Sequence, residues 1–267
     1  MTIDPANWEV ALAAIFLVMN GALSLLLDLG FVRQMLVAAL RMVVQLALVG
    51  LVLKVLIDTQ SPSLTALAAA IMVAVAGYEI VSRQENPIRG VWGYGLGAGT
   101  MLFGAALVMM FALHVVIRPD PWYDPRYAIP MFGMMLGNGM TGIAIGMNAM
   151  TTDVINRREA IEAHLLTGAG RWAALTPSLR RASRTGLIPT INAMAATGVV
   201  YLPGMMTGQI LAGADPSQAV RYQLLVMLLI SGATGLGLVI ALLGSVMRLT
   251  DSRHRIRLDR IRIAEGG

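Results

Sequence analysis

The chain has 267 residues, of which 57% are hydrophobic, only 13% are charged and none is cysteine. A soluble globular domain carries about a quarter charged residues, so this composition argues against a water-soluble protein, and the lack of cysteine excludes disulfides and thiolate metal sites. The net charge of +5 does not indicate nucleic-acid binding, because most of the 20 Lys and Arg residues lie between apolar stretches or in the C-terminal segment. We expect one all-α polytopic membrane domain over residues 1–247 and a basic cytoplasmic tail over residues 248–267.

Seven stretches of the sequence are apolar and long enough to cross a bilayer, which takes about 20 residues of helix. The sequence therefore predicts about seven transmembrane helices. The third stretch is short and Pro203 interrupts the sixth, so counts of six and eight stay open. The stretches cover residues 8–29, 32–57, 64–80, 91–117, 129–150, 187–210 and 224–247.

The basic residues predict how these helices are oriented. With the N-terminus outside and the C-terminus in the cytoplasm, the cytoplasmic segments hold 15 of the 20 basic residues and the outer segments hold three. The other two, Arg41 and Lys54, lie within the second stretch. Because cytoplasmic loops of membrane proteins are enriched in Lys and Arg, we expect this orientation, in the (inner) membrane of the cell and in contact with its lipids.

Ionisable side chains inside the second and third stretches are candidates for function, because a charge in the bilayer is costly. Arg41 and Gln45 stand one turn apart and project from one face of the helix, and Glu79 lies at a similar level on the third stretch. The sequence leaves open whether Arg41 and Glu79 form a structural pair or a gate on a substrate path. It also leaves open whether Arg83, four residues after Glu79, pairs with it instead.

The fifth stretch is rich in glycine and methionine, with six methionines between residues 131 and 150. Thioethers are soft ligands that suit Cu(I), but methionine is also an ordinary filler of helix interfaces, and we favour packing. Asn138, Asn148 and, on the sixth stretch, Asn192 add amide oxygens that either coordinate a hard cation or bridge helices. We include Asn138 and Asn192 in the predicted substrate path.

The longest cytoplasmic connection spans about residues 153–186. Apolar residues recur at helical spacing among Arg and Glu over residues 157–175, which predicts a short amphipathic helix. Gly168 and Gly170 are expected to break it. Such a helix either lies on the membrane surface or docks in a groove of a partner protein, and composition does not decide between these.

The sixth stretch is interrupted by Pro203 and Gly204, followed by Met205, Met206 and Gln209. Proline removes a backbone donor and disturbs the preceding turn, and transporters use broken helices at their substrate sites. The alternative is a simple kink. We predict that this segment is broken and lines the substrate path.

The sequence predicts a protein that is not an enzyme. It contains no HExxH, GxSxG or GxxxxGK[ST] pattern, so no catalytic residue and no bound cofactor are assigned to this chain. Any ATP hydrolysis that drives the protein is expected on a separate chain.

Four runs of the sequence carry a family resemblance. They read Arg41-Met-Val-Val-Gln45, Met135-Leu-Gly-Asn138, Gly186-Leu-Ile-Pro-Thr-Ile-Asn192 and Tyr201-Leu-Pro-Gly-Met-Met-Thr-Gly-Gln-Ile-Leu-Ala-Gly213. Together they resemble the FetB-type permeases, the membrane subunits of a small class of ABC transporters implicated in iron export and metal tolerance, with plant relatives associated with aluminium tolerance. The resemblance implies a permease homodimer with two cytoplasmic ABC ATPase subunits that bind ATP and Mg, exporting a metal ion, with iron as the expected cargo.

The cytoplasmic connection fits this resemblance. Its run Glu162-Ala163-His164-Leu-Leu-Thr-Gly168 is similar to the EAAxxxG signature through which many ABC permeases contact their ATPase, with His164 where alanine is usual. Pro177 only approximates the proline expected downstream. The resemblance implies that these residues couple ATP hydrolysis to movement of the spans.

Two other classes of function stay open. A stand-alone secondary carrier needs paired acids near the middle of the bilayer, whereas the acids here cluster at the ends of the spans. A membrane scaffold or sensor without a substrate would also explain the Met- and Gly-rich packing. The sequence does not identify the cargo, nor whether it is free or chelated.

Overall fold

The computed structural model describes residues 6–251, 253 and 255–263. Over these residues the chain forms ten α-helices, one π-helical turn at Ala112–Ile117 and one 3-10 turn at Leu258–Arg260, and no β-strand beyond isolated bridges. The α-helices are α1 (Asn7–Ala13), α2 (Ile15–Leu26), α3 (Val32–Thr59), α4 (Pro62–Ser82), α5 (Val91–Phe111), α6 (Pro125–Asn156), α7 (Arg158–Leu166), α8 (Arg171–Ala196), α9 (Gly204–Leu211) and α10 (Pro216–Leu249).

Six helical segments of the described chain are long and apolar enough to cross a membrane, which confirms an all-α polytopic membrane protein. They are Trp8–Leu26, Val32–Thr59, Pro62–Ser82, Val91–Ile117, Pro125–Asn156 and Pro216–Leu249.

The sixth predicted stretch, residues 187–210, is not one continuous helix. It is divided between the second half of α8 and the short helix α9, with a non-helical segment at residues 197–203 between them. Gly198 has φ +87°, which glycine adopts without strain, and its N–H donates to the carbonyl of Tyr201 at 3.0 Å. Helix α8 therefore ends before Pro203.

α6 lies at the centre of the bundle, in contact with α4, α5, α8 and α10. Its methionines Met131, Met135, Met147 and Met150 are at most 1% exposed and pack in the main apolar core. Flexible thioethers fill irregular gaps between helices. This packing accounts for the methionine content of the fifth predicted stretch.

Glycines let α6 and α8 approach each other closely. A Cβ atom at Gly142 would lie 2.9 Å from the carbonyl oxygen of Gly186, and one at Gly186 would lie 2.7 Å from the carbonyl oxygen of Gly142. Small residues at a helix interface allow this backbone approach in membranes. The two helices are therefore tightly joined through backbone contact.

α3 is attached to the bundle much less firmly. Among its residues, all of which the structure describes, only Leu56 is buried. Near its other end Arg41 forms an ion pair with Glu79 of α4. α3 therefore has most of its surface free for lipid or a partner.

The segment that follows α10 folds back onto the bundle. The N–H of Arg89 donates to the carbonyl of Arg260 at 2.8 Å, and the N–H of Arg262 donates to the carbonyl of Pro87 at 2.9 Å. Ile88 and Ile261 pair in a bridge and are 2% and 1% exposed. The tail expected from residue 248 is thus packed onto the loop between α4 and α5; residues 252, 254 and 264–267 lie outside the described part.

Candidate functional site

The helix ends that carry most arginines gather at one end of the bundle, which we call the basic end. The returning tail joins the end of α10 to the loop between α4 and α5. The end of α6 reaches the same loop, since the Asn148 side chain accepts from the N–H of Glu85 at 2.9 Å. The short helix α7 and the start of α8 follow directly after α6.

An ion cluster lies between α3 and α4 near the basic end. The Glu79 carboxylate contacts the Arg41 guanidinium and, at 3.3 Å, that of Arg83. The Glu79 side chain is only 12% exposed, whereas the arginine side chains are 47% and 45% exposed. Both pairings that the sequence left open are present, and because one carboxylate serves two guanidinium groups, the cluster keeps a net positive charge.

This cluster lines an open cleft of about 870 Å³, which we call the α3–α4 cleft. Gln45 lines it with Arg41 and Glu79, as the helical spacing predicted, and Met140 of α6 closes it from the bundle side. The structure therefore brings three of the predicted path residues together.

The other predicted path residues do not line the α3–α4 cleft. Asn138 is exposed on α6, and its amide donates to the carbonyl of Met134 at 2.8 Å within the same helix. Asn192 is exposed on α8. Their place on a substrate path stays a prediction.

The broken segment is located differently from the expectation. Pro203 caps α9 and Gly204 is its first residue, so Met205, Met206 and Gln209 lie on a helix, half-buried, and α9 packs on α10. The unwound part precedes the proline. The physical reason is that a missing N–H is harmless at a helix start, where backbone donors have no partner within the helix.

A second cleft, of about 560 Å³, lies at the basic end between α6 and α8 and was not predicted; we call it the α6–α8 cleft. Asp153 and Arg181 bridge the two helices through bonds of 3.0 and 2.8 Å. Arg83 lines both clefts. The polar residues that line it are Arg83, Glu85, Thr141, Asn148, Thr152, Asp153, Asn156, Arg181 and Thr185.

The sequence held a signal for this cleft. Asn148, Thr152 and Asn156 are spaced four residues apart, which places them on one face of α6. The hydroxyl of Thr152 is buried and has no hydrogen-bond partner among the described residues. These polar residues at the end of α6 identify one side of the cleft from the sequence. The other side is formed by residues of α8, whose contact with α6 cannot be recognised from local sequence.

The predicted coupling segment forms a separate helix, α7. Gly168 has φ +89°, and the break between α7 and α8 falls where the glycines predicted it. Ile161 is buried and anchors α7, while Glu162 pairs with Arg158 at 2.8 Å. Ala163 and His164 are exposed.

No group of three or more His, Cys, Asp or Glu side chains converges on a metal position within the described residues. The polar atoms that line the two clefts are carboxylates, amides, hydroxyls and guanidinium groups.

Comparison with known proteins finds relatives that align with most of the chain. Residues 7–250 match the model of the uncharacterised protein family UPF0014. The chain is 36% identical over 230 residues to a UPF0014 membrane protein of Synechocystis, with 85% of this chain and 86% of the relative covered. It is 30% identical to Protein ALUMINUM SENSITIVE 3 of Arabidopsis thaliana (84% and 80% covered) and 28% identical to the probable iron export permease protein FetB of Escherichia coli (96% and 96% covered). No solved structure matches the chain significantly.

Proposed function

The chain belongs to the UPF0014 family, and from this premise we propose that it is the membrane-spanning permease subunit of an ABC transporter that exports a metal ion. Iron is the first candidate cargo, because the Escherichia coli relative is named a probable iron export permease. The name of the Arabidopsis relative makes aluminium the second candidate to test. ATP and Mg bind to a separate ATPase subunit.

The observation that carries this proposal is the exposed surface around α7. Leu166 is 88% exposed and Trp172 is 43% exposed, on either side of the break at Gly168. Leu166 ends α7 and Trp172 lies at the start of α8, and neither helix is among those of the described chain that could span a membrane by length and composition. Exposed apolar side chains are typical of a protein interaction site when they form a patch, and α7 carries the signature that resembles ABC coupling segments.

α7 is well placed to transmit movement. It follows α6 directly and precedes α8, and these two helices are joined by backbone contact between Gly142 and Gly186. The ion pair of Asp153 with Arg181 joins them again at the basic end. A displacement of α7 by a closing ATPase would therefore move α6 and α8 as one body.

In this proposal the basic end faces the cytoplasm and the N-terminus lies outside, as the distribution of arginines favours. A reporter fused after Gly267 should read cytoplasmic and one inserted between Asp120 and Asp124 should read external; the same side for both would contradict the topology. Two permease chains pair with two ATPase subunits, because one 28.4 kDa chain offers no motor of its own.

The cargo is proposed to enter through the two clefts at the basic end. The oxygens of amide, hydroxyl and carboxylate groups in the α6–α8 cleft are ligands that suit a hard cation. Arg41 and Arg83 oppose a cation in the α3–α4 cleft, and Glu79 offsets that repulsion. The ion cluster then acts as a gate, and its state depends on how far Glu79 neutralises Arg41.

The broken segment remains a proposed part of the path. Backbone carbonyls that are freed from a helix can bind a cation, and residues 197–203 provide such carbonyls. Replacing Pro203 and Gly204 by alanine should extend α9 backwards and reduce metal efflux while leaving expression unchanged. Wild-type efflux in this variant would remove the segment from the path.

The coupling proposal is tested by co-purification with the ABC ATPase. Leu166→Asn removes an exposed apolar contact without disturbing the core, so we expect the affinity for the ATPase to fall by about tenfold or more, because burying a leucine contributes about 1.5–3 kcal/mol. The matched control is Leu211→Asn, which is 70% exposed at the end of α9. Glu162→Lys combined with Gly168→Val should abolish substrate-stimulated ATP hydrolysis.

Two outcomes would contradict the proposal. Equal ATPase binding by the wild type, Leu166→Asn and Leu211→Asn would return α7 to a simple surface role. If no ATPase binds the wild-type chain, a secondary carrier or a scaffold becomes the better assignment, and efflux of Fe²⁺ from loaded proteoliposomes without ATP separates those two.

A further inference from the structure

A third cleft at the basic end is lined mainly by arginines, and the proposed function does not use it. It has a volume of about 530 Å³ and lies between the end of α10, the returning tail and the start of α8. We call it the arginine cleft. Its lining residues are Arg171, Met247, Thr250, Asp251, Arg253, Arg255, Arg257 and Arg260.

The cleft is built by a defined fold of the tail. Thr250 and Ile256 pair in a bridge, and the N–H of Arg257 donates to the carbonyl of Leu249 at 2.9 Å. The guanidinium of Arg260 donates to the carbonyl of Arg248 at 2.8 Å. These bonds fix the backbone of the tail around the cleft, so its arginines are not carried on a free chain.

Positive charge remains after the internal pairs are formed. Arg255 pairs with Asp251 at 2.9 Å, and Arg257 pairs with Asp259 at 2.8 Å. Asp251 is the one carboxylate among the lining residues, against five guanidinium groups. Within the described part of the chain, Arg253 forms no ion pair, and its side chain is exposed at the cleft.

We propose that the arginine cleft binds a phosphate group. Arginine presents a planar fork of donors that matches phosphate oxygens in a bidentate way, and several arginines fixed around one cleft match a group that carries several acceptor oxygens. This inference concerns binding by the chain itself and does not rest on the proposed transport function.

The surroundings of the cleft indicate where the phosphate comes from. Met247 lines the cleft and is 58% exposed on the last turn of the spanning helix α10. On the neighbouring helix α5, Val91 is 84% exposed, and Trp92 is 60% exposed and lies under the guanidinium of Arg248 at 5.3 Å. The cleft thus opens where the apolar surface meets the basic end, which is the level of phospholipid headgroups. An anionic phospholipid is one source of the phosphate, and a soluble phosphate compound is the other.

A phosphate bound in the arginine cleft would also affect the neighbouring helix α7. Arg253 and Arg255 also line a groove of about 450 Å³ against α7, together with Leu165 and Leu166. A phosphate held by these arginines would fix the tail beside α7. The lipid composition of the membrane would then influence the affinity of α7 for a partner protein.

The test is native mass spectrometry of the full-length protein with phosphatidylglycerol, phosphatidylcholine or inorganic phosphate. The wild type should retain phosphatidylglycerol in preference to phosphatidylcholine. Arg171→Gln combined with Arg253→Gln should lower that affinity by about 25-fold, because each arginine near a membrane surface contributes about fivefold. The matched control is Arg180→Gln combined with Arg184→Gln, which removes two exposed arginines of α8 outside the cleft.

Each outcome of this experiment either supports or contradicts the proposal. Selective loss of phosphatidylglycerol in the cleft variant supports the proposal with a lipid source, and selective loss of inorganic phosphate with unchanged lipid binding supports it with a soluble source. Equal loss in both variants overturns it, and so does a wild type that retains both lipids equally and binds no inorganic phosphate. If only binding of the ATPase falls in the cleft variant, the cleft is a protein-docking surface and the proposal is wrong. Should the double variant not fold, Arg253→Gln alone and the lipid preference of the wild type give the same decision.

Discussion

The close contact between α6 and α8 yields a prediction whose size follows from the geometry. Gly142→Ala would place a Cβ atom 2.9 Å from the carbonyl oxygen of Gly186 and 2.9 Å from a methyl group of Thr234. Carbon atoms at ordinary contact lie about 3.5–4.0 Å from their neighbours. The backbones of the two helices must therefore separate, because the carbonyl oxygen cannot rotate away as a side chain would.

The expected destabilisation is the difference of two terms. Overpacking a well-packed site destabilises the fold by about 1–3 kcal/mol. Replacing a glycine inside a helix by alanine stabilises the helix by about 0.5–1 kcal/mol. The free energy of unfolding of Gly142→Ala should then fall by about 0–2.5 kcal/mol, with a midpoint of about 1 kcal/mol. For a chain of this size, about 1 kcal/mol corresponds to roughly 2–4 °C in Tm.

The same helix offers a control. A Cβ atom at Gly137 would have nothing within 4 Å, so Gly137→Ala should keep or raise the Tm. The assay is thermal unfolding of both purified variants in one detergent, followed by intrinsic fluorescence. Equal Tm values for the two variants would refute the close approach of α6 and α8, and with it the argument that they move as one body.

Three further predictions concern the gate and the tail. Arg41→Gln should raise the basal leak of metal from proteoliposomes while ATPase binding is unchanged, since the variant removes a cation from the cluster. Ile261→Ala should release the tail, because deleting such a buried side chain costs about 2–5 kcal/mol; faster tryptic cleavage at the tail arginines measures this. The side-chain bond from Arg257 lowers the pKa of Asp259 from its ordinary 3.8 to about 2. This pairing stabilises the tail fully above the ordinary value and is lost as the pH falls through about 2, so tryptic protection should be constant from about pH 5 to about pH 8.

Each of these predictions has a clear contrary result. A leak no larger than that of the wild type would make the ion cluster a structural link between α3 and α4. Unchanged cleavage after Ile261→Ala would show that the hydrogen bonds of Arg89 and Arg262 hold the tail without the apolar contact. A loss of protection near neutral pH would place the pH-sensitive group outside the tail carboxylates.

Much of the fold follows from local sequence. The apolar stretches predicted α3, α4, α5, α6 and α10, because a membrane span is a long local pattern that needs no tertiary information. The glycine break after α7 was also predictable, since Gly168 adopts a positive φ that other residues avoid. The position of the break before α9 was not, because Pro203 fits a helix start as well as a helix interruption.

The site was only partly predictable for a different reason. Arg41 and Glu79 were identified because isolated charges in a membrane require partners. The α6–α8 cleft needs the pairing of Asp153 with Arg181, 28 positions apart, and the arginine cleft needs the return of the tail to residues 87–89. Contacts of that range leave no periodic signal in the sequence.

The returning tail has a mechanical consequence. By bonding to the loop at residues 87–89, it ties the last turn of α10 to the junction of α4 and α5. At that end none of the three helices can move away from the other two unless the contact between Ile88 and Ile261 is broken first. Large movements therefore fall to the elements outside this tie, which are the joined pair α6 and α8, the loosely attached α3 and the short helix α9, and a crosslink between the tail and residue 88 should leave those movements free.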